Sequence, residues 1–113
     1  MSKTAFPYRQ AVEILATLRQ QQEVAIVDVR DEALFATGHP LFAVNIPLSK
    51  LELEWLDRIP QRRTAITLYD NGEGLAEAAA ERIAAWGYTN IALLEGGLAG
   101  WQAAGGELFI DVN

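Results

Sequence analysis

The chain has 113 residues, half of them apolar, and its acidic residues outnumber the basic ones 15 to 9 for a formal charge of -6. That length suits one domain over residues 1–113, and the negative balance opposes non-specific attraction to nucleic acid or to an anionic membrane. No apolar run approaches the roughly 20 residues that span a bilayer, and Met1-Ser2-Lys3-Thr4 opens a mixed segment with no signal-peptide core, so a soluble, cytoplasmic protein is expected.

Beyond Phe6-Pro7, Val12, Ile14, Leu15 and Leu18 recur at roughly helical spacing, and the polar run Arg19-Gln20-Gln21-Gln22 closes this amphipathic helix. Val24 to Val29 is a short apolar run rich in β-branched residues, the pattern of a strand buried on both faces. Asp31 to Ala36 predicts a short helix, with acidic residues against its N-terminal dipole and Gly38 just past its end. A brief strand from Ala43 to Ile46 halts at Pro47. Ser49, with Glu52 three residues on, has the form of a capping box, and Leu51, Trp55, Leu56 and Ile59 supply an apolar face before Pro60 ends the helix. Ala65 to Tyr69 is a second buried strand. It runs into Asp70-Asn71-Gly72-Glu73-Gly74, a polar, glycine-rich break ahead of an alanine-rich helix from Leu75 to Trp86. Gly87 ends that helix, Ile91 to Leu94 forms another strand, and Gly96-Gly97 leads into a short helix through Trp101 that stops at Gly105-Gly106. The tail, Leu108 to Asn113, carries no punctuation of its own and reads as interrupted chain.

Strands and helices alternating at these lengths predict an α/β domain, with a mainly parallel sheet covered by helices on both faces and joined by right-handed crossovers. Ligands of such sheets lie at the carboxyl ends of the strands. Asp70 to Gly74 is one such strand end, set at a helix N-terminus where backbone N–H groups point outward. No internal repeat, low-complexity tract or linker interrupts the chain.

Cysteine is absent, which excludes disulfides, thiolate metal sites and cysteine-based covalent chemistry by this polypeptide alone. No cofactor motif is present. Asp70 could serve as an aspartyl nucleophile or join Asn71 and Glu73 around a cation. The simpler reading is a charged cap on the following helix, because no neighbouring lysine or arginine completes a phosphoryl site and two carboxylates with one amide fall short of a calcium loop. No metal site is therefore assigned. Trp55 and Trp101 fall at core spacing and Trp86 ends a helix, so packing accounts for all three.

Several separated motifs resemble the rhodanese family. Val27-Asp28-Val29-Arg30, then Phe35 and Gly38-His39, then Ala43 through Pro47, look like its opening signature, a strand ending Asp-x-Arg followed by Gly-His and a short strand closed by proline. Gly87-Tyr88, Leu94-Glu95-Gly96-Gly97 and Gly100-Trp101 with Gly105 are similar to its closing signature, a glycine pair ahead of a tryptophan-bearing helix. The resemblance runs from Tyr8 to Gly105 with the motifs in family order. It implies a five-stranded, mainly parallel sheet. It makes Asp28, Arg30, Gly38, His39, Gly96, Gly97 and Trp101 framework residues, with Asp28 and Arg30 as a buried salt link and His39 in a turn packed between sheet and helix. His39, the only histidine, thus has no nucleophile to serve.

The resemblance also implies that Asp70, Asn71, Gly72, Glu73, Gly74 and Leu75 stand for the family's active-site loop, with Asp70 where an active member carries its sulfur-accepting cysteine. Leu75 and Ala76 replace that loop's arginine and small hydroxyl residue, and Pro40-Leu41-Phe42-Ala43 replaces the turn that usually follows Gly-His. Sulfur transfer needs a polarizable thiolate that takes up and releases sulfur as a persulfide, which a carboxylate cannot do. Asp70 and Glu73 would also repel an anionic donor by about 4 kcal/mol per like charge at ~4 Å before screening. The expected function is a catalytically inactive rhodanese-like module, similar to the first module of a tandem protein, that recognises, regulates or supports a sulfurtransferase domain elsewhere in a longer chain. Its partner would be another rhodanese-like domain or protein, with no cofactor, nucleic acid or membrane, and the oligomeric state is left open. Competing readings are an enzyme using Asp70 on a small electrophile, a share in a thiosulfate sulfurtransferase whose cysteine lies in another domain, or an oligomerisation domain.

Overall fold

The computed structural model describes residues 6–19, 24–40 and 42–110. In chain order the elements are β1 (Tyr8–Arg9), α1 (Ala11–Arg19), β2 (Ala25–Asp28), α2 (Glu32–Thr37), β3 (Ala43–Asn45), a single 3-10 turn (Leu48–Lys50), α3 (Leu51–Arg58), β4 (Ile66–Tyr69), α4 (Leu75–Ala85), β5 (Ile91–Leu94) and α5 (Gly97–Ala103). The strands form one five-stranded sheet in the order β1-β5-β4-β2-β3, and every neighbouring pair is parallel. One isolated antiparallel bridge, His39 with Phe109, lies outside these strands.

The near-continuous apolar runs of β2, β4 and β5 are explained by burial on both faces, with side chains alternating between two apolar layers. Val27, Val29, Ile66, Leu68, Ile91 and Leu93 join Trp55 of α3 and Ala79, Ala80 and Ile83 of α4 on one face. Ile26, Tyr69 and Leu94 join Ala11 and Ile14 of α1 and Leu98 and Trp101 of α5 on the other. The alanines of α4 let that helix lie close to the strands. Trp55 and Trp101 are core residues, and Trp86 packs at the rim of the first layer.

The helices that were expected form, with local corrections. Ser49 does not cap α3, and no capping box forms with Glu52. Pro47 begins the 3-10 turn, the Lys50 N–H reaches the Pro47 carbonyl at 2.8 Å, and Ser49 lies within that turn. The helix proper therefore starts at Leu51, and Lys50 at its N-cap makes no side-chain bond. Leu56 is about half exposed, because Leu51 and Trp55, one turn apart, fill the buried stripe. In α1 Val12 also faces outward while Ala11 and Ile14 take the core. The Leu18 side chain, the polar run from Gln20 to Gln22, Leu41, Met1 to Thr4 and Asp111 to Asn113 lie outside what the structure describes. The turn after His39 closes through an Ala43 N–H to Pro40 carbonyl bond of 3.0 Å. β1 is an addition to the elements read from the chain, and it supplies the fifth strand.

Candidate functional site

The carboxyl end of β2 is fixed by a buried ion pair. Arg30 Nη2 donates to Asp28 Oδ2 at 2.7 Å, its Nε to both carboxylate oxygens, and Nη2 also to the Gly38 carbonyl at 2.9 Å. Both residues are almost fully buried. This geometry spreads the guanidinium over a carboxylate and a carbonyl, which offsets the cost of removing two charges from water. Its bond to Asp28 outweighs burial and holds the Arg30 pKa above its usual value. Asn45 of β3 spans the same strand end, its Nδ2 donating to the Asp28 and Arg30 carbonyls at 3.0 and 2.9 Å. Gly38 sits under Leu108, whose Cδ1 would lie 3.3 Å from any added Cβ.

His39 belongs to this frame. Its ring stacks on Phe35 with centroids 3.8 Å apart, its Nδ1 lies 2.9 Å from the Phe35 carbonyl oxygen, and its main chain pairs with Phe109 in both directions. Tyr69, the last residue of β4, lies beside the ion pair, with Arg30 Cζ 5.8 Å from its ring centroid. Its hydroxyl is buried and makes no hydrogen bond among the described residues. Burial, reinforced by the negative charge of Asp28, pushes the Tyr69 pKa well above its usual value. Neither Tyr69 nor Asn45 stood out in the sequence as a site residue. Asn45 entered only as one residue of the Ala43-to-Pro47 stretch.

Asp70 follows directly and turns its carboxylate back into its own loop. Oδ1 accepts the Gly72 N–H at 2.9 Å and Oδ2 the Ala76 N–H, in the first turn of α4, at 3.0 Å. Glu73 Oε1 accepts the Asn71 N–H at 2.6 Å. The wrap depends on left-handed backbone at Gly72 (φ 94°) and Gly74 (φ 86°), where a side chain would be strained. Three N–H groups at this helix start, those of Asn71, Gly72 and Ala76, thus hold the chain's own carboxylates. Asp70 makes no salt bridge with lysine or arginine among the described residues. Its main-chain carbonyl accepts the Leu98 N–H at 3.1 Å, and a Cβ on Gly97 would lie 2.7 Å from that oxygen, which requires glycine there.

The loop is a ridge between two depressions. A cleft of about 430 Å³ runs along Asp70, Asn71, Gly72, Gly74, Gly96 and Gly97, with half-exposed Tyr8 of β1 on its wall. Leu75 faces the other depression, together with Asp31, Ser49 and Arg82. The structure therefore brings the Asp70 loop against Gly96-Gly97, and Asp28 and Arg30 against Gly38. Trp101 stays in the second apolar layer, with its Nε1 donating to the Glu107 carbonyl. Among the described residues no three histidine, aspartate or glutamate side chains converge to hold a metal ion, and no helix is long and apolar enough to cross a membrane.

An α/β domain with a wholly parallel sheet in this strand order, and a glycine-rich loop between its central strand and a helix, defines the class. Within that class the sequence model of the rhodanese-like domain matches residues 11–104, and the chain belongs to that family. Among solved structures it is similar to a thiosulfate sulfurtransferase from Pseudomonas aeruginosa, with 55% identity and a TM-score of 0.92 over 95% of this chain and 20% of that one. It is also similar to the Alr3790 protein from Anabaena sp., with 27% identity and a TM-score of 0.81 over 93% of this chain and 83% of that one. Protein slr1261 of Synechocystis sp. is 35% identical over 95 residues, which make up 84% of this chain and 52% of that protein. The chain thus spans about half of the Synechocystis relative and a fifth of the Pseudomonas chain.

Proposed function

We propose that this domain is a non-catalytic rhodanese-like module that recognises, regulates or supports a sulfurtransferase domain elsewhere in a longer chain. One observation carries the reading: at the loop where the resemblance sets the family's cysteine, the Asp70 carboxylate takes the Gly72 and Ala76 N–H groups. A chain without cysteine has no thiolate to carry sulfur, and the Asp70 and Glu73 carboxylates engage the Asn71, Gly72 and Ala76 N–H groups and set negative charge against an anionic sulfur donor. The 55% identity to one fifth of a chain described as a thiosulfate sulfurtransferase supports a place beside other domains. We take the partner to be another rhodanese-like domain, in the cytoplasm. Asp70 as a nucleophile is the weaker reading, because both of its oxygens are engaged and, among the described residues, no lysine or arginine pairs with it. Incubation of this chain with thiosulfate and cyanide should produce thiocyanate no faster than a protein-free blank. Steady turnover would overturn the proposal.

A further inference from the structure

Asn71 and Gly72 sit together at the exposed crest of the Asp70 loop. An asparagine followed by glycine is the pair at which a polypeptide most readily modifies itself, because glycine presents no side chain to hinder attack by its own amide nitrogen. The other internal asparagines differ on both counts. Asn45 and Asn90 are each followed by a β-branched isoleucine, and their side chains are tied, Asn45 to the Asp28 and Arg30 carbonyls and Asn90 to Arg9. The Asn71 side chain is exposed and makes no hydrogen bond among the described residues.

We propose that Asn71-Gly72 is a self-modification site, where Asn71 converts through a cyclic succinimide to aspartate and isoaspartate, and that the Asp70 carboxylate restrains this conversion by holding the Gly72 N–H. In the first step the Gly72 nitrogen gives its proton to solvent base and its electron pair attacks Asn71 Cγ. The new N–Cγ bond forms, the Cγ–Nδ2 bond breaks, and ammonia leaves. Water then opens either ring C–N bond, so the net change is asparagine plus water to aspartate or isoaspartate plus ammonia. No oxidant, reductant or cofactor is required.

The restraint follows from the 2.9 Å bond between the Gly72 N–H and Asp70 Oδ1. A carboxylate is too weak a base to remove an amide proton, and its negative charge beside the nitrogen disfavours the anion that must attack. The bond also holds the nitrogen facing Asp70 instead of the Asn71 side chain. Glu73 holds the Asn71 N–H, which is not the attacking group. Conversion would add a negative charge to a loop already carrying Asp70 and Glu73, and in the isoaspartate product an extra methylene in the main chain would carry Gly72 out of reach of Asp70.

The test is prolonged incubation of the whole chain in mildly alkaline buffer, followed by tryptic mapping. The peptide Thr64–Arg82 contains Asn71 and no other asparagine, so a mass gain of about one dalton with an isoaspartate fragmentation pattern reports this site alone. Conversion is expected at Asn71 and not at Asn45 or Asn90. It should run about tenfold faster in Asp70→Ala, the scale set by losing a hydrogen bond to a charged group. Glu73→Ala, which leaves the Gly72 bond in place, should stay within about twofold of the wild type. If Asp70→Ala does not fold, the wild type unfolded in urea replaces it and should convert at least about tenfold faster than the native protein. An unmodified Asn71 in the released chain would overturn the site. Equal rates with and without the Asp70 bond, or equal acceleration by Glu73→Ala, would overturn the restraint.

Discussion

Asp70 is held by the bonds it accepts, with no ion pair among the described residues, so its worth lies in the two N–H groups that would otherwise be left without a partner. Asp70→Ala strips the acceptor from Gly72 and from the buried Ala76 N–H, and should lower stability by about 1–3 kcal/mol in urea unfolding. Tyr69 beside it gives the opposite case. Its buried hydroxyl makes no hydrogen bond among the described residues, so Tyr69→Phe should cost under about 1 kcal/mol at neutral pH. A raised pKa stabilises the neutral phenol in the folded state. The wild type is therefore expected to lose stability above pH 10.0, where the unfolded chain's tyrosine ionises and the folded one does not. Tyr69→Phe should lose less over that range, and a pH series of unfolding midpoints would show it. A carboxylate before a glycine-rich break already signals a cap at Asp70. Which N–H groups it takes depends on the left-handed turns at Gly72 and Gly74, and nothing in Leu68-Tyr69-Asp70 signals the Tyr69 environment.

At the scale of elements, the strands and helices that bury a full stripe were legible, because the apolar runs of β2, β4 and β5 and the spacing of Leu51 and Trp55 leave few alternatives. β1 was not, since two residues carry no period. Its place at the edge of the sheet depends on Arg9, whose guanidinium crosses to the Ile66 carbonyl, Thr67 Oγ1 and Asn90 Oδ1. Burial lowers the Arg9 pKa, against the opposing charge of Glu13. Arg9→Ala should release this edge, and hydrogen exchange at the Leu93 and Glu95 amides, which pair with Pro7 and Arg9, should quicken by about tenfold. The start of α3 was misread for a related reason. Proline at position 47 launches a tight turn whose backbone bond replaces the side-chain cap that Ser49 offered. The join between α5 and the Asp70 loop depends on Gly97, with φ 58° and no room for a Cβ. Gly97→Ala should lower the melting temperature and shift the resonances of the Asp70 loop.

For the molecule as a whole, the sheet and its two apolar layers provide the family frame, and the Asp28–Arg30–Asn45 network fixes the ends of β2 and β3, beside the β4 end from which the Asp70 loop departs. That frame was legible in separated motifs because Asp-x-Arg, Gly-His and the paired glycines each meet a demand of the backbone. What the loop holds was less so, because hydrogen bonds within a turn leave no periodic trace. The claim that matters most for function is that the Gly72 and Ala76 N–H groups of the loop are occupied from within, by Asp70. Titrating thiosulfate into nitrogen-15-labelled protein tests it most directly. The Gly72 and Ala76 amide resonances should stay unmoved while the Asp70 carboxylate occupies them, and saturable shifts of those two amides would contradict it.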